Sequence, residues 1–425
     1  MLRRTASWSL GLLAFAALQG AEAHEPPVVT GMVGGPDDAV VLRTTRGLVV
    51  GDLRGGPFSL QCLELSEFLP AETPSLTFFG STLFVSGVEG LVSMTAKGCG
   101  LERPAQFEGV PMTDVHQRAD GTLLLLTTGA GMVNDAWTSR DGVLWSARGL
   151  VLEQALYSTL RPFGAREVAA GVRIDVAAGR PVHFVREISG REVVQELPIA
   201  LGTEGYRVHL LDVRDGADPE ALVLVDQYRE SATPDRVLRY RDGAVEELFA
   251  APEIVDARYG PDGSIYAASA SGLLRWREGG NAEVVGDGRR ATMVAVAAGS
   301  VFTATEYYID GCALCRVEGD ALVPLLRFGD IAGPTVCSEA PGVCDADWSD
   351  WRLEVEPAEA GSGSGAEVGS GSGAEAGSGS GAEGSAAPSI VSSRKREGCS
   401  AASADVALEG AGLLLLALAW RRRAR

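Results

Sequence analysis

Cys312-Ala-Leu-Cys315 has the spacing with which a chain grips a metal ion or closes a short disulfide. Cys337 and Cys344 follow soon after, so these four could build a tetrahedral zinc site or two bridges. Cys62 and Cys99 lie far upstream, and Cys399 stands alone near the C-terminus. The compartment decides between the two chemistries. Arg3 and Arg4, the apolar run from Trp8 to Leu18, and the small-residue site Ala21-Glu22-Ala23 read as an export leader over residues 1–23. A retained anchor is the competing reading, but the run is short for one and the cleavage site follows closely. The mature chain is expected to begin at His24. Thiols persist poorly outside the cytosol, so disulfides are favoured over zinc. Cys62, Cys99, Cys312, Cys315, Cys337 and Cys344 are then candidates for three bridges. Sequence alone leaves the pairing open; proximity favours Cys62 with Cys99 and the last four among themselves.

Other chemistry is sparse. The histidines are His24, His116, His183 and His209. His24-Glu25 could hold a metal weakly, but a frayed terminus suits it better, and the others stand alone in strand-like contexts. No paired-histidine helix motif, nucleophile elbow or phosphate loop occurs. Spaced acids appear in "DVRDGADPE" from Asp212 and "CDADWSDW" from Cys344. Neither follows the calcium-loop pattern, so solvated loops are expected there. No metal, cofactor or catalytic residue is expected. The formal charge is −19, and removing the leader and the tail, both net positive, leaves the chain more acidic still. Such a surface repels phosphate backbones, which excludes nucleic acid as a natural partner.

The elements that must position these residues read as strands. Three segments align without gaps: "DAVVLRTTRGLVVGDLRGG" from Asp38, "STLFVSGVEGLVSMTAKG" from Ser81 and "GSIYAASASGLLRWREGG" from Gly263. In each, an alternating strand runs into a Gly-Leu pair (Gly47-Leu48, Gly90-Leu91, Gly272-Leu273), and a second strand and a polar turn follow. That turn recurs near Gly55, Gly98, Gly142, Gly190, Gly243, Gly279 and Gly319, at spacings of 36 to 53 residues. The period is that of a propeller blade. An all-β, seven-bladed β-propeller is predicted over residues 24–357. Insertions blur the fourth and fifth units, which keeps six or eight blades open. The ring must be closed. "VVTGMVGG" near Val28 or "WRLEVE" from Trp351 could supply the closing strand, and Cys337 and Cys344 lie beside that seam.

"DGSIYAASASGLLRW" (Asp262 to Trp276) resembles the propeller repeats of bacterial sensor ectodomains. "SRDGVLW" is similar to the Asp-box of sialidase-like propellers, one residue short. The resemblance implies a structural role: Ser139 and Asp141 tie down a turn at Gly142, and Trp145 packs beneath it. Two functions remain open. One is a surface-displayed binding or scaffold module that uses its loops on an extracellular protein or glycan. The other is a sialidase-like hydrolase or lyase, which would need convergent arginines beside a tyrosine and an acid at the central channel. An apolar or small-residue channel would favour binding. Trp137, Tyr228, Tyr307 and Tyr308 are the aromatic residues expected to make loop contacts.

From Ala358 the chain repeats in eights ("AEAGSGSG", "AEVGSGSG"), a composition that cannot pack, so residues 358–393 are expected to form a flexible linker. Residues 394–425 hold Gly398-Cys399-Ser400, an apolar run from Gly410 to Trp420, and Arg421, Arg422 and Arg423. This order resembles the MYXO-CTERM sorting domain of myxobacterial surface proteins. The resemblance implies a short hydrophobic helix, processing or modification at Cys399 by a sorting machinery, and delivery to the cell surface of a Gram-negative bacterium. The apolar run is short of the about 20 residues that span a membrane freely, and the arginines would hold its end in the cytoplasm. That suits transient anchoring in the inner membrane; an uncut single-span anchor is the alternative.

Overall fold

The computed structural model describes residues 27–61, 75–87, 90–129, 133–149, 155–175, 180–199, 206–227, 233–306, 311–337, 348–349 and 351–352. The chain divides into Met1–Pro357 and Ala358–Arg425, and every described residue belongs to the first unit. The leader, Cys62, Cys344, the linker and the tail with Cys399 and Arg421 to Arg423 lie outside the described residues.

Seven antiparallel sheets follow one another along the chain, each a meander. Blade 1 holds β1 (Val29–Gly34), β2 (Ala39–Thr44), β3 (Gly47–Asp52) and β4 (Ser59–Gln61). Blade 2 holds β5 (Ser75–Phe79), β6 (Thr82–Gly87) and β7 (Gly90–Thr95). Blade 3 holds β8 (Met112–Gln117), β9 (Leu123–Gly129), β10 (Val133–Ser139) and the two-residue β11 (Ser146–Ala147). Blade 4 holds β12 (Ala155–Phe163), β13 (Arg166–Asp175), β14 (Arg180–Ser189) and β15 (Glu192–Pro198). Blade 5 holds β16 (Tyr206–Arg214), β17 (Glu220–Gln227), β18 (Asp235–Arg241) and β19 (Ala244–Ala251). Blade 6 holds β20 (Asp256–Tyr259), β21 (Ile265–Ser269), β22 (Gly272–Trp276) and β23 (Glu283–Val285). Blade 7 holds β24 (Ala291–Ala297), β25 (Ser300–Thr305), β26 (Leu314–Glu318) and β27 (Ala321–Leu326). The fold is the seven-bladed propeller that the turn spacing predicts.

Position in the blade explains each strand's composition. A middle strand is covered by both neighbouring blades, so "IYAAS" of β21 and "GLLRW" of β22 are buried at every residue. An outer strand meets solvent, and the first four residues of β19 are exposed. Each of the seven predicted glycine turns follows a third strand. Gly55, Gly98, Gly142, Gly190, Gly243, Gly279 and Gly319 all have φ between 63° and 98°, where a β-carbon is strained. The Gly-Leu pairs sit one turn earlier, at the start of the third strand. A β-carbon on Gly90 would meet the Phe107 carbonyl oxygen at 2.3 Å, so the strand passes close under the connection to blade 3.

Among the described residues the ring closes without the strand expected from "VVTGMVGG", and the cysteines explain how; of "WRLEVE" all but Trp351 and Arg352 lies outside the described residues. β1 is simply the first strand of blade 1; it lies beside β24, and Thr292 Oγ1 donates to the Val29 carbonyl at 2.7 Å. After blade 7 the chain returns to the outer edge of blade 1. Ala332 N donates to Phe58 O (2.9 Å), Leu60 N to Gly333 O (2.8 Å) and Thr335 N to Leu60 O (2.7 Å), a short parallel ladder along β4. Cys337 then bonds Cys99 of blade 2. Trp351, buried, packs on Phe328 in the cluster that joins blades 1 and 7. This corrects the pairing of Cys62 with Cys99 that proximity suggests: in a closed ring, residues 238 apart in sequence become neighbours. Cys312 and Cys315 bond each other, both buried in blade 7.

Candidate functional site

The first strands surround the central channel, and five of the seven carry a β-bulge at the same level. The unpaired residues are Thr30, Thr113, Ser158, Leu211 and Thr292, four of them hydroxyl-bearing. A bulge re-aims the next side chain out of the regular pleat. Directly after it stand Gly31, Asp114, Thr159, Asp212 and Met293. Blade 6 has no bulge there and contributes Asp256.

The acids stitch each blade to the next. Asp114 accepts from Leu160 N of blade 4 (3.2 Å) and from Ser75 Oγ of blade 2 (3.0 Å). Asp212 accepts from Tyr259 N of blade 6 (2.9 Å) and from its own neighbour Val213 N (2.9 Å). Asp256 accepts from Val294 N of blade 7. The returning partners are arginines. Arg161 binds Asp114 and sits 3.0 Å from His116 Nδ1; Arg258 donates to the Leu211 carbonyl and pairs with Asp256 at 3.2 Å.

Arg43 completes this girdle from blade 1. A β-carbon on Gly31 would lie 3.0 Å from Arg43 Nη2, so the guanidinium of β2 occupies the place of the side chain Gly31 lacks. Arg43 donates to Thr30 Oγ1 at 2.9 Å and to the Thr30 carbonyl at 2.6 Å. Burial pulls it down to about 10, opposed by the charge of Asp256 and assisted by that of Arg258. Blades 1 and 6 are not neighbours, so this coupling crosses the channel.

Electrostatics separates the acids. Burial pushes Asp114 upward, but the charge and hydrogen bonds of Arg161 with the Leu160 N–H outweigh it, and the carboxyl ends below its ordinary value. Asp256 ends above its ordinary value, through burial first and the nearby Asp212 second, against the pull of Arg258. His116 falls to about 3 through burial and the adjacent Arg161. An Arg161 N–H facing Nδ1 requires the proton on Nε2, and that buried nitrogen has no hydrogen-bond partner among the described residues.

The Asp-box-like residues come together on the turn between β10 and β11. Ser139 Oγ donates to Asp141 Oδ1 (3.0 Å) and accepts from Gly142 N (2.9 Å). Asp141 Oδ1 accepts from Val143 N (2.9 Å) and Leu144 N (2.8 Å), bonds that hold its carboxyl below the usual range. Trp145 is buried edge-on against Phe107 and Phe84, with ring centroids 5.6 and 6.2 Å away.

Three sequence expectations need correction. Asp212 lies on β16 at the channel, not in a solvated loop. Trp137 lies on β10, half-buried and edge-on to Phe107 at 5.3 Å, with Nε1 donating to Thr127 Oγ1, so it is no exposed loop contact. Among the described residues the channel is not apolar, and its Arg161 and Arg258 are held in ion pairs. Cys312 and Cys315 belong to one bridge, and among the described residues no group of His, Cys, Asp and Glu is arranged to hold a metal ion. His183, on β14, is pulled down to about 4 by burial and the nearby His209, which lies 3.9 Å from Asp226. His24, Tyr228, Tyr307 and Tyr308 lie outside the described residues. The girdle did leave a trace in sequence: Asp114-Val115-His116, Asp212-Val213-Arg214 and Asp256-Ala257-Arg258 repeat an acid, an apolar residue and a base on first strands.

No protein-family model matches the chain, and none of the curated proteins does. Solved structures share the fold. An ancestral GH74 enzyme aligns with a TM-score of 0.50 at 11% identity over 70% of this chain and 46% of its own, so this chain spans just under half of it. The propeller domain of the trilobed protease from Pyrococcus furiosus aligns at 0.46, with 11% identity over 72% and 97%. YCF48 bound to D1 peptide aligns at 0.44, with 14% identity over 66% and 90%. At these identities the likeness is one of architecture alone.

Proposed function

We propose that this chain is an exported, cell-surface-anchored propeller that binds an extracellular protein or glycan, or serves as a scaffold for one. The observation that carries the binding half is the closed state of the girdle. Asp114 and Asp212 are filled by backbone N–H donors of the next blade, and Arg161 and Arg258 are engaged by acids and carbonyls. A sialidase-like hydrolase or lyase, the alternative, needs cations open to substrate. Export rests on the leader sequence, and bridges Cys99–Cys337 and Cys312–Cys315 suit an oxidising compartment. Anchoring rests on the tail: the sorting machinery would act at Cys399, with Arg421, Arg422 and Arg423 as the stop signal.

Two measurements test this. Wild-type protein should turn over no sialoside or polysaccharide in a hydrolase panel, while Asp256→Asn and Arg258→Met should lower Tm. Turnover that Asp256→Asn abolishes at unchanged Tm would establish the enzyme instead. Intact-mass analysis of surface-extracted protein should find a chain lacking Arg421 to Arg425; a mass that includes them overturns the sorting reading.

A further inference from the structure

The three most exposed large hydrophobic side chains among the described residues are Val336 (85%), Leu144 (74%) and Val143 (73%). All three lie on one stretch of the outer rim. Val143 and Leu144 form the tip of the β10–β11 turn, which leans on blade 2: a β-carbon on Gly142 would lie 2.8 Å from Phe84. Phe84 pairs with Ser93 on β7, and Ser93 exchanges backbone hydrogen bonds with Glu102, which sets the exposed Leu101 on the same edge. Val336 precedes the bridge from Cys337 to Cys99, just beyond the blade 2 turn. Here alone among the described residues a blade has three regular strands, and the next has a fourth strand of two residues.

The charge around these side chains departs from that of the chain. Lys97 and Arg140 are exposed on the same two turns, and Arg103 follows Leu101. Lys97 is one of two lysines in a protein of net charge −19. The acids among them are Glu102, Asp120, whose charge reaches Arg140, and Asp141, which is turned onto the N–H groups of its own turn, so cations and acids balance here in a chain that is otherwise strongly acidic. Aliphatic side chains on convex turn tips, flanked by cations, suit the boundary between anionic headgroups and acyl chains. A protein partner would favour aromatic anchors and a concave seat. We propose that this rim of blades 2 and 3 docks on an anionic lipid surface, with Leu101, Val143 and Leu144 at the acyl boundary and Lys97 and Arg140 at the headgroups. The proposal goes beyond the binding reading and does not need it: it concerns how the propeller lies on a membrane, whatever it binds.

The test must separate this rim from the tail, so it uses the full chain and a position-specific signal. Leu144→Cys in a Cys399→Ser background carries an environment-sensitive fluorophore; Val284→Cys on the outer strand of blade 6 is the control, likewise exposed. Phosphatidylglycerol vesicles should shift the probe at 144 to the blue and leave the probe at 284 unmoved, and phosphatidylcholine vesicles should do neither. Lys97→Gln and Arg140→Gln should each weaken the response about fivefold at unchanged Tm. Equal responses at both positions, or none at 144, overturn the proposal. A shift at 144 that grows with protein concentration without vesicles also overturns it, and assigns the rim to a second copy of the chain.

Discussion

His116 shows how a single side chain at the channel ties stability to acidity. Its Nδ1 faces an arginine 3.0 Å away, so protonation would set two cations together in a buried place. The folded state therefore keeps it neutral down to about 3, whereas the unfolded chain protonates it near 6.5. Between those values the unfolded state binds more protons, and stability falls as pH falls. Asp114, depressed in the folded state, adds a loss of the same sign at lower pH, once its unfolded form protonates. Asp256, raised by burial and Asp212, acts in the opposite sense. His116→Gln removes the first contribution alone. From pH 6.5 to 4.5 the wild type should lose about 2–3 kcal/mol that the variant retains. Parallel urea titrations across that window check it, and identical slopes for the two proteins would mean that His116 titrates normally.

At the scale of the element, glycine sets the register of the whole ring. Gly142 is the sharpest case: its φ is 76° and a β-carbon would strike Phe84 at 2.8 Å. Gly142→Ala should cost about 1–3 kcal/mol through backbone strain and displacement of that ring. Gly279→Ala, at φ 72° with nothing near its β-carbon, should carry only the strain and cost less. Thermal unfolding of the pair reads the difference, and equal losses would remove the steric part. These turns are legible in the sequence because positive φ demands glycine whatever the blade packs against, so seven of them stand out amid dissimilar strands. The girdle is not. Asp212 sits in a run with "DGADPE" and reads as loop, because a bulge breaks the alternation that marks a strand. Arg43 sits on a second strand, and only Gly31 beside it makes room for it at the axis. Trp137 misleads for a related reason: its exposure depends on Phe107, which arrives from the connection between blades 2 and 3.

Closure belongs to the molecule as a whole, and it is here that chain order and spatial order diverge most. Each blade completes itself from consecutive strands, so among the described residues no shared sheet binds blade 7 to blade 1. Among the described residues the seam is held by the cluster containing Met293, Leu314, Leu42 and Trp351, by the short ladder of residues 332–335 on β4, and by one covalent bond to blade 2. A bridge across 238 residues restricts the unfolded chain strongly, by about 5 kcal/mol in the chain-entropy picture. In a domain of this size that corresponds to about 7 °C in Tm. Cys99→Ser with Cys337→Ser should show that loss without reductant. The bridge between Cys312 and Cys315 closes only a short loop and is buried, so its removal should shift Tm less through chain entropy. Mild reductant should then lower wild-type Tm towards that of the double variant and move the variant itself little. If the variant unfolds at the wild-type temperature, the noncovalent seam alone closes the ring.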